Sequence, residues 1–156
     1  REVKPESFSR QIAFNVIPQI DVFQDNDYTK EEMKMLWETQ KIMGDQSILV
    51  NATAVRVPVF YGHAEAIHLE TRSPIDAQHV KELLADAPGV TVYDGNEQFP
   101  TQVSSASGND IVHVGRIRND ITHPCGLNLW VVSDNIRKGA ATNSIQIAET
   151  LIRDYL

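Results

Sequence analysis

Two side chains that could bind an anion and transfer a proton, Arg56 and His63, lie seven residues apart in one apolar stretch. Arginine can hold a carboxylate or phosphate through two parallel hydrogen bonds, and histidine changes protonation near neutral pH. The pair therefore indicates a site for an anionic substrate that exchanges a proton. Each residue alone is more often structural, since single arginines commonly form salt bridges and single histidines commonly pack in cores.

The stretch from 54 to 70 predicts one long strand with a kink at Gly62. Valines alternate with other side chains from 55 to 59, which is the period of a half-buried strand. Gly62 interrupts this pattern just before His63, as at a β-bulge, and the alternation resumes from 66 to 70. We therefore expect Arg56 and His63 to flank a kink in a single strand.

A helix is predicted before this strand. Thr29 and Glu32 have the spacing of a capping box, and Gly44 is a suitable C-terminal stop. Glu38 and Lys41 are three residues apart in this helix and share a face. They could form a solvated ion pair worth a few tenths of a kcal/mol, or they could bind charged groups of a ligand.

The remaining segments predict a layered α+β domain. An apolar extended segment runs from 12 to 23, and a second helix begins at Ser73, where serine caps and proline takes the first turn. Further expected elements are strands at 90–93, 111–117 and 127–132, a loop at 96–110 with an extended piece at 101–103, and a final helix at 138–155. This order favours a mixed, largely antiparallel sheet with helices packed on one face. No glycine-rich strand-to-helix turn occurs, so the chain lacks a dinucleotide-binding fingerprint.

The composition of the chain argues against several classes of function. The 156 residues are 42% hydrophobic, which suits one globular domain, and the net charge of -7 argues against a nucleic-acid or membrane-surface partner. No apolar run approaches the roughly 20 residues that span a bilayer. The single cysteine excludes an internal disulfide, and the first residues do not resemble a signal peptide, so a cytoplasmic location is predicted. The chain does not begin with methionine and is interpreted as part of a longer protein.

Cys125 lies in a turn-like segment, 123–126, before a predicted strand. A thiol can act as a nucleophile when a nearby base or helix N-terminus activates it, but the neighbouring sequence supplies neither. His63, Glu65 and Cys125 partly match a zinc-deaminase pattern whose second cysteine would fall at 128, where this chain has asparagine. The sequence therefore predicts a structural Cys125 and no metal site.

Five segments together resemble the aspartate-β-semialdehyde dehydrogenase family; they span 11–21, 37–41, 55–63, 126–132 and 134–141. The resemblance covers the C-terminal half of that enzyme. It implies a glyceraldehyde-3-phosphate dehydrogenase-like C-terminal domain, in which residues 1–136 bind substrate and dimerise. Residues 137–156 would form a helix that packs on the absent nucleotide-binding domain.

The resemblance also implies an activity. It is the NADP-dependent reduction of aspartyl-β-phosphate to aspartate β-semialdehyde, reversible with phosphate, in lysine, methionine and threonine biosynthesis. His63 would be the general acid/base and Arg56 would hold the substrate α-carboxylate. Glu38 would hold its ammonium, Lys41 its phosphate, and Asn135 would approach the nicotinamide. The implied assembly is a homodimer, with NADP bound mainly by the absent domain.

The family's nucleophilic cysteine and its cofactor loop lie upstream of this chain, so the chain alone is expected to be inactive. Cys125 stands where many relatives have arginine and is not that nucleophile. Two alternatives remain. One is a non-enzymatic dimerisation or regulatory module that keeps the fold. The other is an N-acetyl-γ-glutamyl-phosphate reductase, although the segments at 37–41 and 56–59 fit the aspartate enzyme better.

Overall fold

The computed structural model describes residues 5–95 and 97–156. The chain divides into two compact units, Arg1–Pro58 and Val59–Leu156, which we describe separately. Residue 96, the first of the predicted 96–110 loop, and the N-terminal residues 1–4 lie outside the described part. Within that part, no helix is both long and apolar enough to cross a membrane.

The first unit contains helix α1, Lys30–Met43, and both of its predicted ends are confirmed. The Thr29 hydroxyl accepts a hydrogen bond from the Glu32 amide at 3.3 Å, and the Glu32 carboxylate accepts one from the Thr29 amide at 2.7 Å. Gly44 ends the helix in the left-handed conformation, at φ 65°. Because glycine has no Cβ, it adopts this conformation without a steric penalty.

The predicted strand at 54–60 is wrong. This segment forms a single antiparallel bridge, between Arg56 and Ile17, and has no continuous ladder. Val55, Val57 and Val59 are 41%, 38% and 40% exposed, so their alternation does not mark a face buried in this chain. A ladder needs amide donors as well as alternation, and Pro58 supplies none.

The second unit contains a four-stranded sheet of β1 (His63–Glu70), β2 (Val90–Val92), β3 (Val112–Asn119) and β4 (Gly126–Ser133). The strands lie in the order β1-β4-β3-β2; β4 is antiparallel to β1 and β3, and β2 is parallel to β3. Helix α2 (Ala77–Ala85) packs against β2 and β3. The predicted α+β class with a mixed, largely antiparallel sheet is therefore confirmed.

Three local predictions in this unit need correction. Helix α2 is capped by Asp76 rather than Ser73, because the Asp76 carboxylate accepts a hydrogen bond from the His79 amide at 2.9 Å. The predicted extended piece at 101–103 belongs instead to a π-helical turn, Gln102–Ala106. The final helix is preceded by a second π-helical turn, Arg137–Ala141.

The final helix, α3, spans Thr142–Tyr155 and carries large apolar side chains that remain exposed. They are Ile145, Ile147, Leu151, Ile152 and Tyr155. Amphipathic helices of globular proteins normally bury such side chains against a neighbour. The predicted division of the chain at residues 136 and 137 stays a prediction.

We expect Thr29→Ala to lower the free energy of unfolding by about 1 kcal/mol, the usual cost of losing an N-cap side chain. Thr29 is almost fully buried and its hydroxyl caps α1, whereas Thr53 is exposed and makes no capping bond. Urea unfolding followed by circular dichroism measures the difference. Thr53→Ala is the matched control, and an equal loss in both variants would contradict the role given to the cap.

Candidate active site

The backbone of Arg56 is held by hydrogen bonds, whereas its guanidinium remains available for a ligand. Its amide and carbonyl both bond to Ile17, at 2.8 and 3.0 Å, and its guanidinium carbon lies 5.3 Å from the centroid of the Phe8 ring. Among the described residues, no carboxylate pairs with it. The side chain lines a cavity of about 180 Å³, and Asp21 lies on the same wall. An arginine fixed on an aromatic ring but without an anionic partner can bind a ligand carboxylate.

Glu32 connects helix α1 to the segment that carries Arg56. One carboxylate oxygen caps the helix, and the other accepts a hydrogen bond from the Ala54 amide at 2.8 Å. The bonds from the Thr29 and Ala54 amides hold the pKa of Glu32 below its ordinary value. The capping pattern predicted only the first bond. The second bond was missed because nothing in the sequence links positions 22 residues apart.

The Glu32 carboxylate should make stability depend on pH. Because its pKa is lower in the folded state, ionised Glu32 stabilises the fold above its ordinary pKa of 4.5, and this contribution is lost as the pH falls through the folded value. We expect the difference in unfolding free energy between the wild type and Glu32→Gln to shrink below about pH 4.5. Urea titrations at several pH values measure it. A difference that stays constant from pH 7 to pH 3 would contradict this role.

Glu38 and Lys41 lie exposed on α1 and form no salt bridge with any residue of the described ranges. The alternative interpretation of a solvated ion pair between them is therefore not found. Lys34, one turn before Glu38, instead pairs with Glu31 at 3.0 Å, and this bond raises the pKa of Lys34. A carboxylate and an ammonium are thus left available for a ligand on one helix.

His63 opens strand β1 in the second unit and pairs in register with Ser133, the last residue of β4. Its ring is exposed and makes no hydrogen bond within the described part of the chain. Gly62, immediately before it, donates its amide to the Asn135 side-chain oxygen at 3.1 Å. The kink predicted within one long strand is not found, because β1 begins only at His63; Gly62 has φ 83°, and a Cβ there would lie 3.1 Å from the Ser133 carbonyl oxygen. His63 and Asn135 are therefore brought to the same end of the sheet.

The turn that carries Asn135 is fixed by Asp134, which is 6% exposed. Its carboxylate accepts hydrogen bonds from the amides of Gly108, Ile136 and Arg137, at 2.8, 2.8 and 2.9 Å. These bonds hold the pKa of Asp134 below its ordinary value, the one from Arg137 contributing most. No role was predicted for Asp134 from the sequence, although an aspartate directly after an apolar strand is a recognisable turn signal.

Cys125 lies far from His63 within the same unit. It directly precedes Gly126, the first residue of β4, whereas His63 pairs with Ser133 at the opposite end of that strand. Eight residues of extended chain at about 3.3 Å each separate the two ends by roughly 23 Å. A proton cannot pass directly between these side chains, so Cys125 does not form a nucleophile and base pair with His63.

A profile of the family described as "Semialdehyde dehydrogenase, dimerisation domain" matches residues 1–138. The chain belongs to the semialdehyde dehydrogenase family. It is 65% identical over 153 residues to the aspartate-semialdehyde dehydrogenase of Shewanella sp. (strain DB6705), covering 98% of this chain and 45% of that protein. The chain therefore spans less than half the length of this relative.

Two solved structures of the family agree with this assignment. Aspartate semialdehyde dehydrogenase II from Vibrio cholerae, complexed with ASA, superposes with a TM-score of 0.94 at 65% identity, over 98% of this chain and 45% of that one. The aspartate semialdehyde dehydrogenase of Candida albicans, with NADP, gives 0.73 at 30% identity, over 90% of this chain and 45% of that one. Both structures match this chain over the C-terminal portion of the family's fold.

Proposed function

We propose that this chain is the substrate-binding and dimerisation part of an aspartate-semialdehyde dehydrogenase. The enzyme interconverts aspartyl-β-phosphate and aspartate β-semialdehyde with NADP and phosphate. The observation that carries the proposal is a set of charged groups that form no salt bridge with any described residue: Arg56, Glu38 and Lys41. A guanidinium, a carboxylate and an ammonium complement the α-carboxylate, ammonium and phosphate of this substrate.

Each group has a distinct task in this proposal. Arg56 binds the α-carboxylate through both prongs of its guanidinium, and Glu38 accepts hydrogen bonds from the substrate ammonium. Lys41 attracts the phosphate as a point charge. His63 takes the proton of the attacking thiol and exchanges a proton with the hydroxyl of the thiohemiacetal, as an exposed imidazole can near neutral pH. The thiol itself comes from outside this chain.

Asn135 is proposed to contact the nicotinamide of NADP. Its side-chain oxygen is fixed by Gly62, while its amide nitrogen has no partner among the described residues. That nitrogen is a free hydrogen-bond donor, which suits the carboxamide oxygen of a nicotinamide. NADP, when bound, carries the hydride; the residues of this chain position its ring and the substrate.

We also propose a homodimer formed by residues 1–136, with residues 137–156 packing on the nucleotide-binding domain. The match to a dimerisation-domain family supports the first part. The exposed apolar side chains of α3 support the second, since a large apolar face normally has a binding partner.

A chimaeric enzyme tests this function. Residues 1–156 replace the corresponding part of the Vibrio cholerae enzyme, to which this chain is 65% identical. We expect phosphate-dependent formation of NADPH from aspartate β-semialdehyde, with N-acetylglutamate semialdehyde used poorly. A folded, dimeric chimaera without this activity would instead support a non-enzymatic dimerisation or regulatory module.

A further inference from the structure

A second cavity lies in the second unit, lined by residues of α2, of β3 and of the segment after β2, none of which is assigned a role above. Its volume is about 180 Å³. The lining residues are Lys81, Tyr93, Asp94, Gly95, Arg116, Ile117 and Arg118. Three of these side chains are cationic and one is a carboxylate, in a chain whose net charge is -7. The lining of the cavity is therefore positively charged, whereas the protein as a whole is negatively charged.

The arginines reach this cavity because strand β3 contains a bulge. The pairing of β3 with β4 shifts register between Gly115 and Arg118, and Arg116 within the bulge has φ 57°. A long side chain in the left-handed region is uncommon and costs free energy. Bulges redirect side chains that would otherwise alternate across the sheet. Arg118 is held at the wall, because its guanidinium donates to the Arg116 carbonyl at 2.8 Å.

The single carboxylate does not neutralise these arginines. Asp94 pairs with Lys81 at 2.6 Å and also accepts a hydrogen bond from the Gly95 amide. In the part of the chain that the structure describes, neither Arg116 nor Arg118 forms a salt bridge. Two arginines thus line the cavity without a carboxylate partner among the described residues.

We propose that this cavity binds a small oxyanion, a phosphate or carboxylate group, between Arg116 and Arg118. Guanidinium groups match the geometry of such anions through paired hydrogen bonds. The cavity is smaller than the usual pocket for a drug-sized ligand, so it suits an ion or a small metabolite. None of its lining residues belongs to the proposed substrate site, so the proposal does not depend on the chain being an enzyme.

The test measures thermal stabilisation of the chimaera by inorganic phosphate at constant ionic strength. A Lys41→Gln background removes the ammonium proposed to bind substrate phosphate, and the difference between this background and its Arg116→Gly variant isolates the contribution of the second site. We expect phosphate to raise the melting temperature in this background, and Arg116→Gly to weaken phosphate binding by about tenfold or more. Without phosphate, Arg116→Gly should not lower the melting temperature, because glycine relieves the left-handed backbone.

Arg153→Gln is the matched control, since Arg153 lies in the same unit, outside the cavity lining, and forms a salt bridge with its neighbour Asp154. It should keep the full response to phosphate. An equal response in Arg116→Gly, Arg118→Gln and the control would overturn the proposal, as would an equal effect of chloride. A further result would also overturn the proposal: the parent does not respond to phosphate, and the dimer dissociates in the Arg116 and Arg118 variants. This result would show that a carboxylate of another copy fills the cavity.

Discussion

Replacing His63 by alanine should lower kcat of the chimaera by about 10²- to 10⁴-fold, the usual contribution of a general acid/base. The ring is exposed, has no partner among the described residues, and opens strand β1 next to the fixed Gly62–Asn135 contact. Its removal should therefore leave the fold and substrate binding nearly unchanged. Initial rates of NADPH formation with aspartate β-semialdehyde and phosphate measure the loss.

The matched control is His79→Ala, because His79 is exposed on α2 and lies outside the proposed site. It should retain the full rate. If His63→Ala also retains the full rate while the unmodified chimaera is active, the proton is transferred by another group. A retained pH profile in a slow His63→Ala variant would likewise show that His63 is not the titrating base.

The second large effect is expected at the substrate clamp. Arg56→Lys keeps the positive charge but cannot form two parallel hydrogen bonds, and it loses the contact of the guanidinium with the Phe8 ring. A charge-assisted hydrogen bond contributes about 1.5–3 kcal/mol, so kcat/KM should fall about 10- to 100-fold. Steady-state kinetics against aspartate β-semialdehyde measure this change.

Arg10→Lys is the control, since Arg10 is exposed and its guanidinium donates a hydrogen bond to the neighbouring Ser9 carbonyl. Its kcat/KM should not change. A normal kcat/KM in Arg56→Lys would show that a point charge is sufficient there. A loss confined to the response to phosphate would place Arg56 on the phosphate rather than on the α-carboxylate.

Local sequence signals predicted the elements that depend on neighbouring residues. The capping box of Thr29 and Glu32 determines where α1 begins, because both of its hydrogen bonds join residues three apart. The strands predicted at 111–117 and 127–132 are present as β3 and β4, which lie inside the sheet and bury Val114 and Val132. At 54–60 the alternating valines were misleading, since alternation predicts a strand only where a partner strand and a buried face are both present.

The proposed site residues came from resemblance, whereas the contacts that position them appeared only in the structure. The bond between Glu32 and Ala54 joins residues 22 apart, and that between Gly62 and Asn135 joins residues 73 apart. Such pairings depend on how the chain folds back on itself. No helical or strand period encodes them.

The contacts of the Glu32 carboxylate should allow the loop at 45–53 to be lengthened. Glu32 holds α1 on one side and Ala54 on the other, so this contact fixes the position of Arg56 relative to the helix in addition to the bonds that Ile48 and Asn51 of the loop make. Lengthening a closed surface loop costs little entropy, about 0.6 kcal/mol for each doubling. Leu49, which is 92% exposed, is therefore a position where we expect an inserted peptide tag to leave Arg56 in place.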